Sequence, residues 1–444
     1  MSGRYPLHTG CHTIINDWQT QGLPLDEETM AQVLQKGGYK THAIGKWHIG
    51  HSRWEQTPTF RGFESFYGYY LGAQDYFTHY KEGRTGRGYD MHYDKQENCG
   101  RECSQLVDER GNYSTHVYTR RALQIIDEHD EENDGPLFMY LAYQAVHYPD
   151  EVPPSYRTPY DKKPGWSDLR KTYAGMLSCV DESIANVTEA LIQKNLWNNT
   201  LVLVTTDNGG PTSICAIQGS SNDPLRGGKC TLWQGGTTGD ALLSGPALSE
   251  RGIQRQIYSN LFHVVDWLPT LASMTQTKSS GKPLDGVDHL AALRGGNSVK
   301  SPREELFVGY AMLPDTQEEV WYGPAIRWKQ WKLIQGSSGG PDGPDKIPPG
   351  SSTPPHGGNI SSPYLMFNLD EDPTEQTNIV HKNPLVFQIL RKKLEKYQES
   401  FVPPPNDAPW NDTICNFHGP SHTQQFGPTW LPWCRNSTEF VFYN

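Results

Sequence analysis

Apolar positions along the chain switch repeatedly between helical and strand-like spacing. Residues 26–37, DEETMAQVLQKG, have a helical pattern, with Asp26 as a cap, acids in the first turn and Gly37–Gly38 as a stop. YKTHAIGKW (39–47) then reads as a strand. THVYTRRALQIIDEH (115–129) is helical again. Polar DEENDG follows, and then an apolar run, PLFMYLAYQAVH (136–147), with the length of a buried strand. The longest helical pattern covers 170–194. It leads through NLWNNT to a second apolar strand, LVLVTTDNGG (201–210). Such alternation predicts an α/β fold with a large, mostly parallel sheet between helices. In these sheets ligands gather beyond the carboxyl ends of the strands. Lys46 and His48, His147, and Asp207 with Asn208 all stand at such ends.

The pattern changes near residue 295. SPREELFVGYAM, AIRWKQWKLIQG and YLMFNLDED read as strands of a smaller, mostly antiparallel unit, closed by a helix over 384–400. Between them, 336–363 is low in complexity and rich in Gly, Pro and Ser. The predicted division is a catalytic-sized domain over 1–298 and a smaller α+β domain over 299–444.

Composition narrows the function classes. The 444 residues carry a formal net charge of −11, which argues against nucleic acid as a partner. No stretch has the apolar length of a membrane span. None of the eight cysteines forms a CxxC, so a zinc ribbon is not expected. Sequons begin at Asn112, Asn186, Asn198, Asn359, Asn411 and Asn436. With cysteines in polar loops and in a Pro/Trp-rich tail, they favour a lysosomal or secreted protein. The first residues, MSGRYPLHTG, have no signal-peptide pattern. A secretory composition without that start leads us to expect that the beginning of the protein is missing.

Four stretches carry candidate chemistry. In GKWHIG, strand alternation places Lys46 and His48 on one face, unless they are only an exposed strand end. His147 ends an apolar strand and could be a structural histidine. Asp207 and Asn208 in TTDNGG offer hard oxygen ligands for Ca²⁺, or form an Asx turn. Lys229 sits in PLRGGKCTLWQGG, a glycine-rich loop where a solvated lysine is the ordinary reading. Together they supply two lysines, two histidines and two oxygen ligands at one strand-end region. That set suits a sulfate or phosphate ester, with cations on the oxygens and histidines moving protons.

The ordered stretches GRYPLHTG, LPLDEETMAQVLQKGGYKTHAIGKWHIG, PTFRGFESFYGYYLGAQDYFTH, LAYQAVHYP, YAGMLSCVDESIANVTEAL, LWNNTLVLVTTDNGG, PLRGGKCTLWQGG and DWLPTLASM resemble type I sulfatases, most of all the arylsulfatase B type. The resemblance implies an alkaline-phosphatase-like fold and one Ca²⁺. It implies sulfate contacts for Lys46, release of sulfate through His48, and care of the leaving oxygen by His147 and Lys229. Asp207 and Asn208 become calcium ligands. The implied substrate is a sulfated glycan or aryl sulfate, as in glycosaminoglycans. From the cross-linked tail of the family, Cys11 is expected to bond Cys415 or Cys434. A local Cys99–Cys103 pair is expected as well.

Two departures qualify this. The family carries C-x-P-S-R just ahead of the segment matching SGRY. Its cysteine becomes formylglycine, the nucleophile, made by the formylglycine-generating enzyme. No cysteine here is followed by x-P-S-R, and there is no Asp-Asp pair for calcium. The chain as given is therefore expected to be inactive, either as an incomplete sulfatase or as a dead calcium- or glycan-binding relative. A phosphoesterase on the same fold would need more metal ligands. Thr238 and Asp240 also stand where relatives place an arginine and an aliphatic strand, which puts that strand's packing in question.

Overall fold

The computed structural model describes residues 1–444 except 85, 96–99, 213–217, 313–320, 340–362, 405–414, 416–418 and 435–444. Helix α1 (Met30–Lys36) starts later than its sequence pattern. Thr29 is the cap, in a reciprocal box with Gln32, while Asp26 pairs with Lys282 at 2.7 Å. Strand β1 (Lys40–Lys46) runs parallel to β2 (Ser65–Tyr69), with Lys46 opposite Tyr69. A hairpin follows, β3 (Tyr80–Gly83) and β4 (Gly86–Tyr89). Strands β5 (His92–Lys95) and β6 (Ser104–Leu106) return antiparallel beside β2. Helix α2 (Ser114–Glu128) leads to β7 (Leu137–Ala142), which lies parallel to β1 on its other side. The sheet order is therefore β6-β5-β2-β1-β7. It is mixed: β2, β1 and β7 make a parallel half that ends at β7, and β5 runs antiparallel to both its neighbours.

Helix α2 packs Val117, Tyr118, Ala122 and Ile125 in one cluster with Ile44 and Tyr69 of this sheet and with Tyr89 and Met91 from the hairpin strand β4 and the turn after it. Their spacing forms one apolar helical stripe. The 26-residue helix α3 (Asp168–Gln193) follows and is capped by Ser167. Strand β8 (Val202–Thr205) pairs antiparallel with β9 (Ala241–Ser244) in a two-stranded sheet of its own. Among the described residues, β7 pairs only with β1, and β8 only with β9. Both apolar runs read from sequence as buried strands; instead they are half-buried, and Tyr140 on β7 is 37% exposed. On β9, after Thr238 and Asp240, Ala241 and Leu242 are exposed.

The short helix α4 (Gln234–Thr237) precedes β9, and helix α5 (Trp267–Met274) follows it. The second large sheet is antiparallel, in the order β10 (Glu305–Met312), β11 (Trp321–Trp328), β12 (Trp331–Gln335), β13 (Tyr364–Asn368). Helix α6 (Pro384–Glu399) packs Leu390 and Leu394 on Phe307, Ile326, Leu333 and Met366, joined by Tyr5 and Leu7 from the start of the chain. The opposite face holds Ala325, Ile334 and Phe367 against Leu232 and Trp233. The tail adds β14 (Ser421–Thr423) and β15 (Gly427–Thr429), and β15 joins β4.

The expected cross-link of Cys11 to the tail does not form. Cys415 bonds Cys434 instead, with Cα atoms 4.1 Å apart, and Cys11 is a free thiol. The geometry explains the choice: Cys11 Sγ lies 3.5 Å from the Gly22 carbonyl, and Cys415 already has its partner in the tail. Cys103 is disulfide-bonded, but Cys99 lies outside the described residues, as do most of 336–363 and the sequons at Asn359, Asn411 and Asn436. Asn112, Asn186 and Asn198 are exposed. Among the described residues no helix is long and apolar enough to cross a membrane.

Candidate active site

Strand β1 ends at Lys46, and Gly45 just before it makes a close approach. A side chain at Gly45, whose φ is +94°, would place its Cβ 2.1 Å from the Ala142 carbonyl oxygen on β7. Beyond Lys46, the Trp47 indole turns inward and donates to the carbonyls of Gly50 and Gln56 at 3.0 and 2.9 Å. His48 then takes the left-handed conformation, at φ 54°. Strand alternation therefore does not orient Lys46 and His48, because the strand has already ended between them. Instead the His48 amide donates to Tyr70 O at 3.0 Å and its Nε2–H to Ile15 O at 2.9 Å. A non-glycine residue in this region is strained, and such strain concentrates at functional positions. The neutral ring keeps Nδ1 as an acceptor.

His147 follows β7 in a turn closed by its amide to Gln144 O at 2.9 Å. Its carbonyl accepts from the Tyr76 hydroxyl at 2.8 Å, and its Nδ1–H donates to Tyr148 O at 2.9 Å. The neutral ring then leaves Nε2 open to a ligand.

Asp207 and Asn208 leave the end of β8. The Asn208 amide donates to Gly209 O at 2.7 Å, which leaves its Oδ1 as an acceptor. Lys229 is tied directly to this turn: its amide donates to Gly210 O at 3.1 Å. Asn222 staples the two loops together. It accepts from Gly210 N at 2.8 Å and donates to Gly210 O and Gly227 O at 2.8 and 3.0 Å. Sequence reading passed over Asn222, because an isolated Asn in a loop carries no periodic or motif signal.

The charges of these elements act on one another. Lys46 is pushed down to about 8, first by burial; Asp207 opposes the shift, and the Lys229 and Lys81 ammoniums reinforce it. His147 is pushed down to about 4 by burial, then by the charges of Lys46 and Lys229. His48 is pushed down to about 3 by burial, then by Lys46, with smaller effects from His51 and His147. Five of the six residues chosen from sequence thus act on one another electrostatically, and Asn208 adjoins Asp207. Lys81, on β3, is a sixth member that sequence did not mark. A separate concavity between α2 and α3, lined by His116, Arg120 and Asn186, holds none of these groups. A site with clustered cations and neutral imidazoles is suited to a tetrahedral oxyanion.

The profile of the Sulfatase family matches residues 1–277. The chain belongs to the sulfatase family. Mouse arylsulfatase J is 34% identical over 99% of this sulfatase and 72% of its own length. Human N-acetylgalactosamine-6-sulfatase is 29% identical over 68% of this chain and 56% of its own. The crystal structure of Ps i-CgsB in complex with k-i-k-neocarrahexaose has the same fold, with a TM-score of 0.71 at 24% identity, over 91% of this chain and 81% of that one. The alkaline-phosphatase-like architecture read from the sequence is thus shared with solved sulfatases. The likeness to the arylsulfatase B type in particular stands only at the level of the family.

Members of this family use calcium and formylglycine. Among the described residues no group of three or more His, Cys, Asp and Glu could hold a metal ion. Asp207 and Asn208 offer two oxygen donors where calcium takes six to eight ligands. The described side chains therefore do not make a calcium site by themselves.

Proposed function

We propose that this sulfatase acts on sulfate esters of glycosaminoglycan-type sugars, in the manner of arylsulfatase B, in a lysosomal or secreted setting. The mutual electrostatic influence of Lys46, Lys229, His48 and His147 supports the reading, in which they surround one sulfate group. Lys46 and Lys229 would bind and orient the sulfate oxygens and stabilise charge that develops on them. His147, with Nδ1–H committed to Tyr148 O, would use Nε2 toward the leaving oxygen. An anion between the two lysines offsets the charges that depress His147, so substrate raises the proton affinity of that ring. His48, anchored on Ile15 O, would act on the sulfate side. Asp207 and Asn208 would supply part of a calcium shell.

We further propose that these 444 residues by themselves bind sulfate but do not turn it over, since they contain no C-x-P-S-R. Cations and imidazoles stabilise charge but do not replace a covalent nucleophile. The same absence favours a second reading, a catalytically dead sulfatase-like calcium- or glycan-binding protein. Calorimetry with inorganic sulfate tests the pocket, and weaker but still measurable binding in K46M and K229M is the expected result. Turnover of 4-nitrocatechol sulfate by the 444 residues would overturn the argument about the nucleophile. The chain extended in frame by C-x-P-S-R ahead of Ser2, made in cells containing the formylglycine-generating enzyme, separates enzyme from dead relative.

A further inference from the structure

Lys332 on β12 shares a face with Ile334, the face turned away from α6 and toward the loop of Lys229. Its side chain is fully buried, 2.7 Å from Glu375 Oε1, which is also fully buried. Lys332 Nζ donates in addition to Gln234 Oε1 at 3.2 Å. The other carboxylate oxygen, Glu375 Oε2, accepts the backbone N–H of Gln234 at 2.6 Å. Arg226 donates to the Glu375 carbonyl at 2.5 Å and lies 3.8 Å over the Trp233 ring. Glu375 itself has a φ of 56°, a left-handed conformation that a non-glycine residue adopts at a cost.

These contacts lead to the pocket by short steps. Arg226 O accepts from Gly235 N at 2.7 Å, and Gly236 O accepts from Gly209 N at 3.1 Å, beside Asn208. Lys229 N donates to Gly210 O in the same turn. One carboxylate, which follows the last strand of the antiparallel sheet, thus fixes the segment that carries Lys229 and, through α4, the turn that carries Asp207 and Asn208. A buried ion pair is weak as a source of stability but strong as a constraint on geometry when its remaining bonds are satisfied.

We propose that Glu375 is a positioning residue of the active site, acting through the Gln234 amide to hold Lys229 and the Asp207–Asn208 turn in register. The inference rests on the sulfate-binding reading of Lys229. Glu375→Gln alone leaves the Lys332 ammonium buried without a counter-charge and could prevent folding. The test therefore uses two double variants. K332M/E375L replaces the pair by apolar side chains and removes the acceptor for Gln234 N–H. K332M/E375Q removes both charges but keeps an acceptor oxygen.

Amide hydrogen exchange is read at Gln234–Thr238 and Gly209, and inorganic sulfate affinity by calorimetry. In K332M/E375L, exchange at these amides should accelerate at least tenfold, and sulfate should bind about tenfold more weakly, the scale of a misplaced charged donor. K332M/E375Q should recover both. Adding K229M should abolish the affinity difference between the two double variants, because the effect passes through Lys229. Unchanged exchange in K332M/E375L, or an affinity difference that persists with K229M, would overturn the proposal. Absence of sulfate binding in the unsubstituted chain would count against the reading of the pocket instead, and the exchange data would still decide the anchoring.

Discussion

Raising the pH should release sulfate from the pocket by way of Lys46. Burial holds this ammonium at about 8, with Lys229 and Lys81 adding to the shift and Asp207 resisting it. The sign follows from the chemistry: the ammonium attracts the anion, and the neutral amine does not. In the free chain Lys46 is about 90% charged at pH 7 and about 10% charged at pH 9. Bound sulfate retains the proton, so the apparent affinity falls about tenfold over that interval, or about 1.4 kcal/mol. Calorimetry at pH 7, 8 and 9 measures it, at constant ionic strength because screening alone weakens ion binding. K46M should bind weakly with no pH step. K229M should move the step to higher pH, since it removes a like charge from beside Lys46. A dissociation constant that stays level from pH 7 to 9 in the unsubstituted chain refutes the placement of Lys46.

The buried histidines set the acid limit of the fold. His48 is held at about 3, and His51 and His147 at about 4, all by burial first. The unfolded chain binds these protons near pH 6.5, so the stability they confer is complete above that value and is lost as pH falls toward 4. Thermal melts between pH 7 and 4.5 should fall steadily, less steeply in H147Q. Gly72→Ala would place a Cβ 2.6 Å from His48 Cε1; it should break the bond to Ile15 O, seen as a change in the His48 ¹⁵N shifts together with a loss of about 1–3 kcal/mol of stability. Leu390→Ala, in the fully buried contact of α6 with the antiparallel sheet, should cost about 2–5 kcal/mol by chemical denaturation.

Much of this was readable from residue order, for physical reasons. Apolar runs at strand spacing marked β1, β7, β8 and the antiparallel sheet, and the 3.6-residue stripe marked α2 and α3. What could not be read depended on partners distant in sequence. Asp26 looked like a cap, but Lys282 holds it and Thr29 caps instead. Alternation put Lys46 and His48 on one face, whereas backbone bonds to Tyr70 and a side-chain bond to Ile15 orient His48. Cys11 has no disulfide partner, since pairing depends on which sulfurs come together in space. Asn222, Lys81 and Glu375 are common residue types in loops or on an edge hairpin. Only the fold brings them to the pocket.

The one-sided pairing of β7 and β8 bears on how the protein behaves in concentrated solution. Each strand presents a row of amide and carbonyl groups without a ladder partner among the described residues, beside half-exposed Tyr140 and exposed Leu242. Any extended segment that meets such a row can continue the ladder. The chemistry of the pocket is set by buried charge, whereas colloidal lifetime is set at these two rims, about which the charge of the whole chain says little. A lysine introduced on an outward position of β7 should therefore prolong the monomer in storage and leave the affinity for sulfate as it was.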